Sequence, residues 1–368
     1  MQDIKINNNV AQHNVKCIKA HFTQTVRCNT IKMGRTSFKY LFWFLILFAQ
    51  ISFSQDYSEH RNEAYEHMSL KTYDQAIIEF NKELDINPND ATTYNDIGCA
   101  YLYLKDYKKA LANLKMAIQL DSSYAEPHYN IGLFYYDMGN FKLAISYYDS
   151  AISVRPNNAD TYNNRGAAFL ALKEYKNALS NYKRATYIDS TYANPYNNIG
   201  LIYHDLKKYQ MAISYFDTAI SLDPYYANAY NNRGYTKYKS NLNMTAISDL
   251  KKAILLNPEM KSAYSNIILV YEKIGQCEEV ILYCNKLILH YPKTIKAYEK
   301  RAICRETLGR KDLAMNDYKK AEQLKDERKS LTRGIPDYVF TIIFILIVIF
   351  VLAIITGIII LIINKYNT

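Results

Sequence analysis

Residues 193 to 226 read A-N-P-Y-N-N-I-G-L-I-Y-H-D-L-K-K-Y-Q-M-A-I-S-Y-F-D-T-A-I-S-L-D-P-Y-Y, and the same frame returns on both sides of them. Glycines stand at 98, 132, 166, 200 and 234, each 34 residues from the next. A second ladder, Ala76, Ala110, Ala144, Ala178, Ala212, Ala246, Val280 and Ala314, keeps the same period of 34, so the register rests on two independent sets of positions. Within the quoted frame Tyr196, Ile199, Gly200 and Tyr203 fall at i, i+3, i+4 and i+7, one face of a first helix. Ala212, Phe216 and Ala219 make the facing stripe of a second. Small residues let the two helices approach and the rings fill the space between them. Pro88, Pro156, Pro224, Pro258 and Pro292 stand where the second helix must stop, because proline lacks the N–H and clashes with the preceding turn. No hairpin of this kind buries its stripe alone, so stability must come from stacked neighbours.

This pattern resembles the tetratricopeptide-repeat (TPR) family, matched in the quoted frame at Tyr196, Gly200, Tyr203, Ala212, Phe216, Ala219 and Pro224. The resemblance implies an all-α fold, a right-handed superhelical solenoid of eight helix-turn-helix repeats. Their expected limits are 57–90, 91–124, 125–158, 159–192, 193–226, 227–260, 261–294 and 295–328, without gap or insertion. The end repeats depart from the pattern as capping repeats do: His60, Glu63 and His67 replace aromatic and apolar core positions in the first, and Arg301, Arg305 and Lys311 do so in the last. Residues 120–169 and 188–237 agree at about half their positions, which points to duplication of a two-repeat unit. Arg165, Arg233 and Arg301, at every second repeat, fit that inheritance.

The composition agrees with a repeat. The chain of 368 residues carries 36 Tyr against 14 Phe and 1 Trp, and a repeat supplies many separate places to half-bury an amphipathic ring. The formal charge of +10 gathers in part near the two ends, beside apolar segments, and not along a phosphate-tracking groove. Nucleic acid is therefore not an expected partner. Of the 6 Cys, Cys99, Cys277, Cys284 and Cys304 lie in the repeats without metal-ligand or disulfide-framework spacing and read as packed free thiols.

Two apolar segments bracket the repeats. Tyr40 to Phe53 follows Arg35 and Lys39 and precedes Ser54-Gln55, the pattern of a secretory signal peptide. The expected organisation is an over-extended leader over 1–32, a start at Met33, and a signal peptide, or alternatively an uncleaved N-terminal anchor, over 33–54. A basic juxtamembrane linker at 329–337 leads to a transmembrane helix at 338–363 and a short tail at 364–368. The 338–363 segment carries no charge, and at about 1.5 Å per residue it reaches roughly 39 Å, enough to cross a bilayer with tilt. The orientation signals conflict. Lys319, Lys320, Lys325, Arg328, Lys329 and Arg333 outnumber Lys365 and favour repeats inside, whereas a signal peptide favours the exported, periplasmic or extracytoplasmic side. Export takes precedence, because the first segment usually sets topology.

Packing does not explain the asparagines. Asn130, Asn164, Asn198, Asn232 and Asn266 share one place on the first helix of successive repeats, and Asn95, Asn163, Asn197 and Asn231 the place before it. Asparagine is a poor helix former, so its recurrence costs stability. A row of amides can pair with the backbone of an extended segment whatever its side chains. The arrangement is similar to the asparagine ladder of O-linked N-acetylglucosamine transferases. The alternative is inheritance by duplication. The TPR layout implies that Thr92, Glu126, Asp160, Asn194 and Asn228 also face the groove, with Tyr136, His204 and Tyr238 a few residues on. Where a carboxylate clamp needs Lys and Asn, this chain has Asn163 and Ala167, or Asn197 and Leu201.

These readings predict a non-enzymatic, membrane-anchored scaffold whose groove holds an extended segment of a protein partner. The alternatives are a cytoplasm-facing, tail-anchored docking receptor and the sensor subunit of a membrane signalling pair. No cofactor, metal or small-molecule substrate is expected. His60 and His67 share a helix face but have no third ligand in the sequence pattern.

Overall fold

The computed structural model describes residues 59–332, and the leader, signal and transmembrane segments expected from the sequence lie outside them. All regular structure among the described residues is helical. Helix α1 covers 59–69. It is followed by α2 (Tyr73–Ile86), α3 (Ala91–Tyr103), α4 (Tyr107–Leu120) and α5 (Ala125–Asp137). Next come α6 (Phe141–Val154), α7 (Ala159–Ala171), α8 (Tyr175–Ile188), α9 (Ala193–Asp205) and α10 (Tyr209–Leu222). The last six are α11 (Ala227–Lys239), α12 (Asn243–Leu256), α13 (Lys261–Lys273), α14 (Cys277–His290), α15 (Ile295–Thr307) and α16 (Lys311–Thr332). The sixteen form an array of helical hairpins. No helix among the described residues is long and apolar enough to cross a membrane.

The chain divides into two compact units, up to Ile131 and from Gly132 onward. In the first, α3 packs on α4 as a hairpin and on α2 before it. In the second, α7–α8, α9–α10, α11–α12 and α15–α16 are the tightest pairs, each second helix also meets the next first helix, and first helices α7, α9, α11 and α13 touch in succession.

The sequence ladders are the contact points of this packing. Ala212, Phe216 and Ala219 are fully buried on α10, while the buried Ile199 and Ile202 of α9 cluster with Ala178 and Tyr182 of the preceding α8. A Cβ on Gly200 would come within 2.6 Å of the Phe216 ring, closer than real atoms sit, so any side chain there forces the hairpin apart. Tyr196 and Tyr203, expected to share that core, are half-buried instead. The amphipathic ring explains the difference: Tyr203 stacks on Tyr215 at 5.4 Å and keeps its edge toward water.

The turn inside every hairpin needs one left-handed residue. These are Lys71, Lys105, Gly139, Lys173, Lys207, Asn241, Gly275 and Gly309, with φ between 57° and 75°. They recur every 34 residues, just beyond the end of each first helix, where a left-handed residue closes the backbone. At Lys207, for example, the N–H bonds to the His204 carbonyl at 2.8 Å and the following Lys208 N–H to Tyr203 at 2.8 Å. Beyond α2, α6, α10, α12 and α14 the chain turns at the expected prolines, as at Pro156 after α6, whereas Ser122 and Ser190 take that place after α4 and α8.

In the first hairpin, His60 and His67 do not sit in the core as the sequence pattern placed them. Both are half-buried and Glu63 is exposed, because α1 turns this face to solvent.

Candidate functional site

The ladder asparagines are brought together, but they bond first to one another. In the second unit Asn198 Nδ2 donates to Asn163 Oδ1 at 3.0 Å, Asn232 to Asn197 at 2.9 Å and Asn266 to Asn231 at 3.0 Å, each across neighbouring first helices. Within each helix the buried amide donates to its half-exposed neighbour: Asn163 to Asn164 at 3.2 Å, Asn197 to Asn198 at 3.3 Å and Asn231 to Asn232 at 3.3 Å. The result is a continuous relay, Asn266, Asn231, Asn232, Asn197, Asn198, Asn163, Asn164. In the first unit Asn130 donates to Asn95 at 2.9 Å, Asn95 to Asp96 at 3.2 Å, and the Tyr65 hydroxyl to Asp96 at 2.7 Å. Tyr129 stands where an Asn would continue the spacing from Asn95.

An amide has two N–H donors and one oxygen with two lone pairs. Within the relay Asn198 and Asn232 use one donor and one lone pair each, which leaves one of each on a half-exposed side chain. Asn163, Asn197 and Asn231 are buried at 4 to 8% exposure. Their role is to hold neighbouring first helices in register. Asn194 and Asn228, one turn earlier on α9 and α11, are exposed.

The other expected groove residues are engaged in packing. Tyr136 meets Phe141 edge-on at 5.4 Å. Tyr238 lies beneath the Lys273 ammonium, 4.9 Å from its ring centre. His204 Nδ1 is 2.9 Å from Thr236 Oγ1, whose own proton goes to the Asn232 carbonyl at 2.7 Å. The hydroxyl therefore accepts, Nδ1 carries the proton and Nε2 is the free acceptor. Burial lowers the His204 pKa, which keeps the ring neutral near pH 7.

A second tie crosses the repeats on the other helices. Arg233 on α11 grips Asp249 of α12 with Nε and a terminal nitrogen at 2.8 and 2.6 Å, and reaches back to Asp217 of α10 at 2.6 Å. Arg301 repeats the geometry with Asp317 at 2.9 and 2.6 Å and Asn285 at 2.6 Å. Arg165 bonds Asn181 at 2.7 Å and Asp149. Each arginine thus joins the second helix of its own hairpin to that of the hairpin before. The 68-residue recurrence was visible in the sequence; the partners, 16 residues to either side, were not read there.

Burial raises the Cys99 and Cys284 thiols to about 12, so both are inert packing groups. Among the described residues His60, Glu63 and Glu79 bring three ligand-type atoms within 4.8 Å, a cluster that the spacing of His60 and His67 did not reveal. There His60 bonds Glu79 at 2.8 Å and Lys82 neutralises the same carboxylate.

Comparison with known proteins agrees with this architecture. Family models match three segments: a TPR repeat at 98–139, and tetratricopeptide repeats at 123–190 and 193–226. The chain is a tetratricopeptide-repeat protein. No curated protein matches it. Among solved structures it is similar to a chain of the anaphase-promoting-complex hetero-tetramer Cut9-Hcn1, with TM-score 0.56, 18% identity, 66% of this chain covered and 48% of that one. It thus spans about half of that relative's length. A tetratricopeptide repeat protein from Parabacteroides merdae aligns with TM-score 0.54 and 15% identity over 68% of this chain and 99% of that one. Pseudomonas aeruginosa pilF gives 0.51 and 21% over 58% and 98%. At these identities the likeness establishes the fold alone. A TPR array is a scaffold suited to protein–protein interaction.

Proposed function

We propose that the chain is a non-enzymatic TPR scaffold, anchored in a membrane by 338–363 with its repeats on the exported side, that holds an extended segment of a partner protein along its first helices. The supporting observation is the asparagine relay. Asn198 and Asn232 each retain an N–H and a lone pair on half-exposed side chains one helix apart, with exposed Asn194 and Asn228 beside them. This row of unsatisfied donors and acceptors suits a peptide backbone, whose own groups alternate in the same way.

The test places a photo-crosslinking residue at Asn194 or Asn228, and as controls at Tyr187 and Tyr225, both 79% exposed. A protein crosslinked in cells from Asn194 and Asn228 but not from the controls supports the reading; equal yields at all four sites overturn it. Orientation is tested separately by protease treatment of intact cells and spheroplasts. Protection only in intact cells, with a mature N-terminus at Gln55, supports export. Protection in both, with 33–54 retained, favours the cytoplasm-facing docking receptor, which the basic residues between Lys319 and Arg333 already recommend.

A further inference from the structure

At the C-terminal end of the second unit, α13, α15 and α16 enclose a basin of about 990 Å³. Helix α16 makes one wall, because at 22 residues it runs eight further than the 14 of α12 or α14. The floor is apolar. Ile268, Leu287, Ala297 and Leu324 line it, each at most 6% exposed, and Ile303 stands above them at 51%. This volume lies at the upper end of the range for ligand pockets, roughly 300–1,000 Å³.

The polar lining has one sign left over. Of the three carboxylates, Glu272 pairs with Lys300, Glu299 pairs with Lys325 at 2.9 Å, and Glu327 is engaged as well. Lys261 rests over the Tyr291 ring at 5.2 Å, and no acid among the described residues pairs with Lys293 or Lys296. Between those two lysines Thr294 precedes the first turn of α15. Its side chain makes no cap bond, and its buried Oγ1 has no hydrogen-bond partner. A buried hydroxyl without a partner carries a free-energy cost that a ligand acceptor would remove. The start of α15 is also the positive end of its helix dipole.

We propose that this basin binds a partner segment bearing apolar side chains and a carboxylate, the apolar groups seated on Ile268 and Leu324 and the carboxylate over Thr294 between Lys293 and Lys296. The inference rests on the scaffold reading and names the chemistry of the partner. A basic segment would meet like charge at the rim, and a purely apolar one would leave Thr294 and the lysines unanswered.

The probe is a fluorescein-labelled octapeptide alternating leucine and glutamate, with its leucine–lysine counterpart, titrated by fluorescence anisotropy into the full-length chain in detergent. The expected result is saturable binding of the glutamate peptide alone, weakened about tenfold by Lys293→Glu with Lys296→Glu and by added salt. Both substitutions lie on the exposed rim and leave the floor intact, and Thr294→Val should weaken binding without changing its salt dependence. Equal binding of both peptides, binding of neither, or insensitivity to the double charge reversal overturns the proposal. Phosphatidylglycerol vesicles are titrated in parallel; vesicle binding lost in the double variant, with no peptide binding, overturns it in favour of a lipid surface. Crosslinks from Asn194 and Asn228 with a silent basin would remove this inference and leave the scaffold reading standing. Peptide binding without those crosslinks would keep a protein-binding scaffold and this inference, and would remove only the asparagine row as the place where the partner lies.

Discussion

Ile268 and Cys284 stand at the two positions where the preceding hairpin sets Gly234 against Leu250, with a Gly234 Cβ only 2.8 Å from the leucine. In the 261–294 hairpin the large residue has moved to the first helix and the small one to the second, and both are buried in one cluster. The bulk that Leu250 supplies from the second helix is supplied here by Ile268 from the first. Cys284→Phe alone should therefore overpack the site and cost about 1–3 kcal/mol, whereas Cys284→Phe with Ile268→Gly should recover most of the loss. Urea unfolding of Cys284→Phe, Ile268→Gly and the double variant checks this, and additive losses would show that the two positions do not share space.

The relay makes a graded prediction. Asn197 donates to Asn198 and accepts from Asn232, so Asn197→Ala leaves two amides short of a partner and should cost about 2–4 kcal/mol. Asn266 makes a single relay bond, to Asn231, and Asn266→Ala should cost about 1 kcal/mol. Equal losses at the two positions in urea unfolding would mean that the relay is not a stabilising unit.

The arginine ties separate a buried partner from an exposed one. Asp249 is 7% exposed and is also held by Lys237 at 2.9 Å; Asp217 is 53% exposed. Asp249→Ala should cost about 3–5 kcal/mol, because it strands the half-buried arginine, and Asp217→Asn less than about 1 kcal/mol. Denaturant midpoints at low and high salt check both, with salt acting mainly on the Asp217 contribution.

Lys207 adopts φ 57°, a conformation that costs a non-glycine residue about 1 kcal/mol, whereas Gly139, Gly275 and Gly309 hold the same turn position without that strain. Lys207→Gly should stabilise by about 0.5–1 kcal/mol despite the larger entropy of its unfolded chain, and Gly275→Lys should do the opposite. Thermal unfolding with the sign reversed at either site would refute the assignment of the turn.

His204 sets a pH dependence. Its pKa is lowered in the folded chain, so below about 6.5 the unfolded state binds more protons and stability falls with the pH. Above that value both states are neutral and the dependence is lost. His128, also lowered by burial, adds a slope of the same sign. Urea unfolding between pH 5 and about 7.5 should show the decline, reduced but not removed in His204→Gln.

The architecture was legible because its determinants lie close together in sequence. Gly200 and Phe216 are 16 residues apart, and five successive repeats set a glycine against a large residue at this spacing, so periodicity revealed both helices and their packing. The turn lysines were not legible, since nothing in Lys173 or Lys207 signals a positive φ; only alignment with Gly139 and Gly275 exposes it. The asparagines were found by recurrence, but a single helix cannot say which way an amide points. Asn232 meets Asn197 35 residues away, across helices whose approach is set by the stacking of whole hairpins. The basin escaped notice for a related reason: Leu324 and Ile268 belong to different hairpins, and α16 encloses the space by running past the usual end of a second helix.

The relay also has a polarity. Between helices the later asparagine is always the donor and the earlier one the acceptor, from Asn266 back to Asn163. Lateral tension along these first helices would therefore load three like bonds in series, while the arginine ties load the second helices in parallel with them. The two seams differ in their response to ions, since amide pairs are neutral and arginine–aspartate pairs are screened by salt. Raising ionic strength should soften the second-helix seam selectively, giving this segment a compliance that its surroundings can tune without unfolding any hairpin.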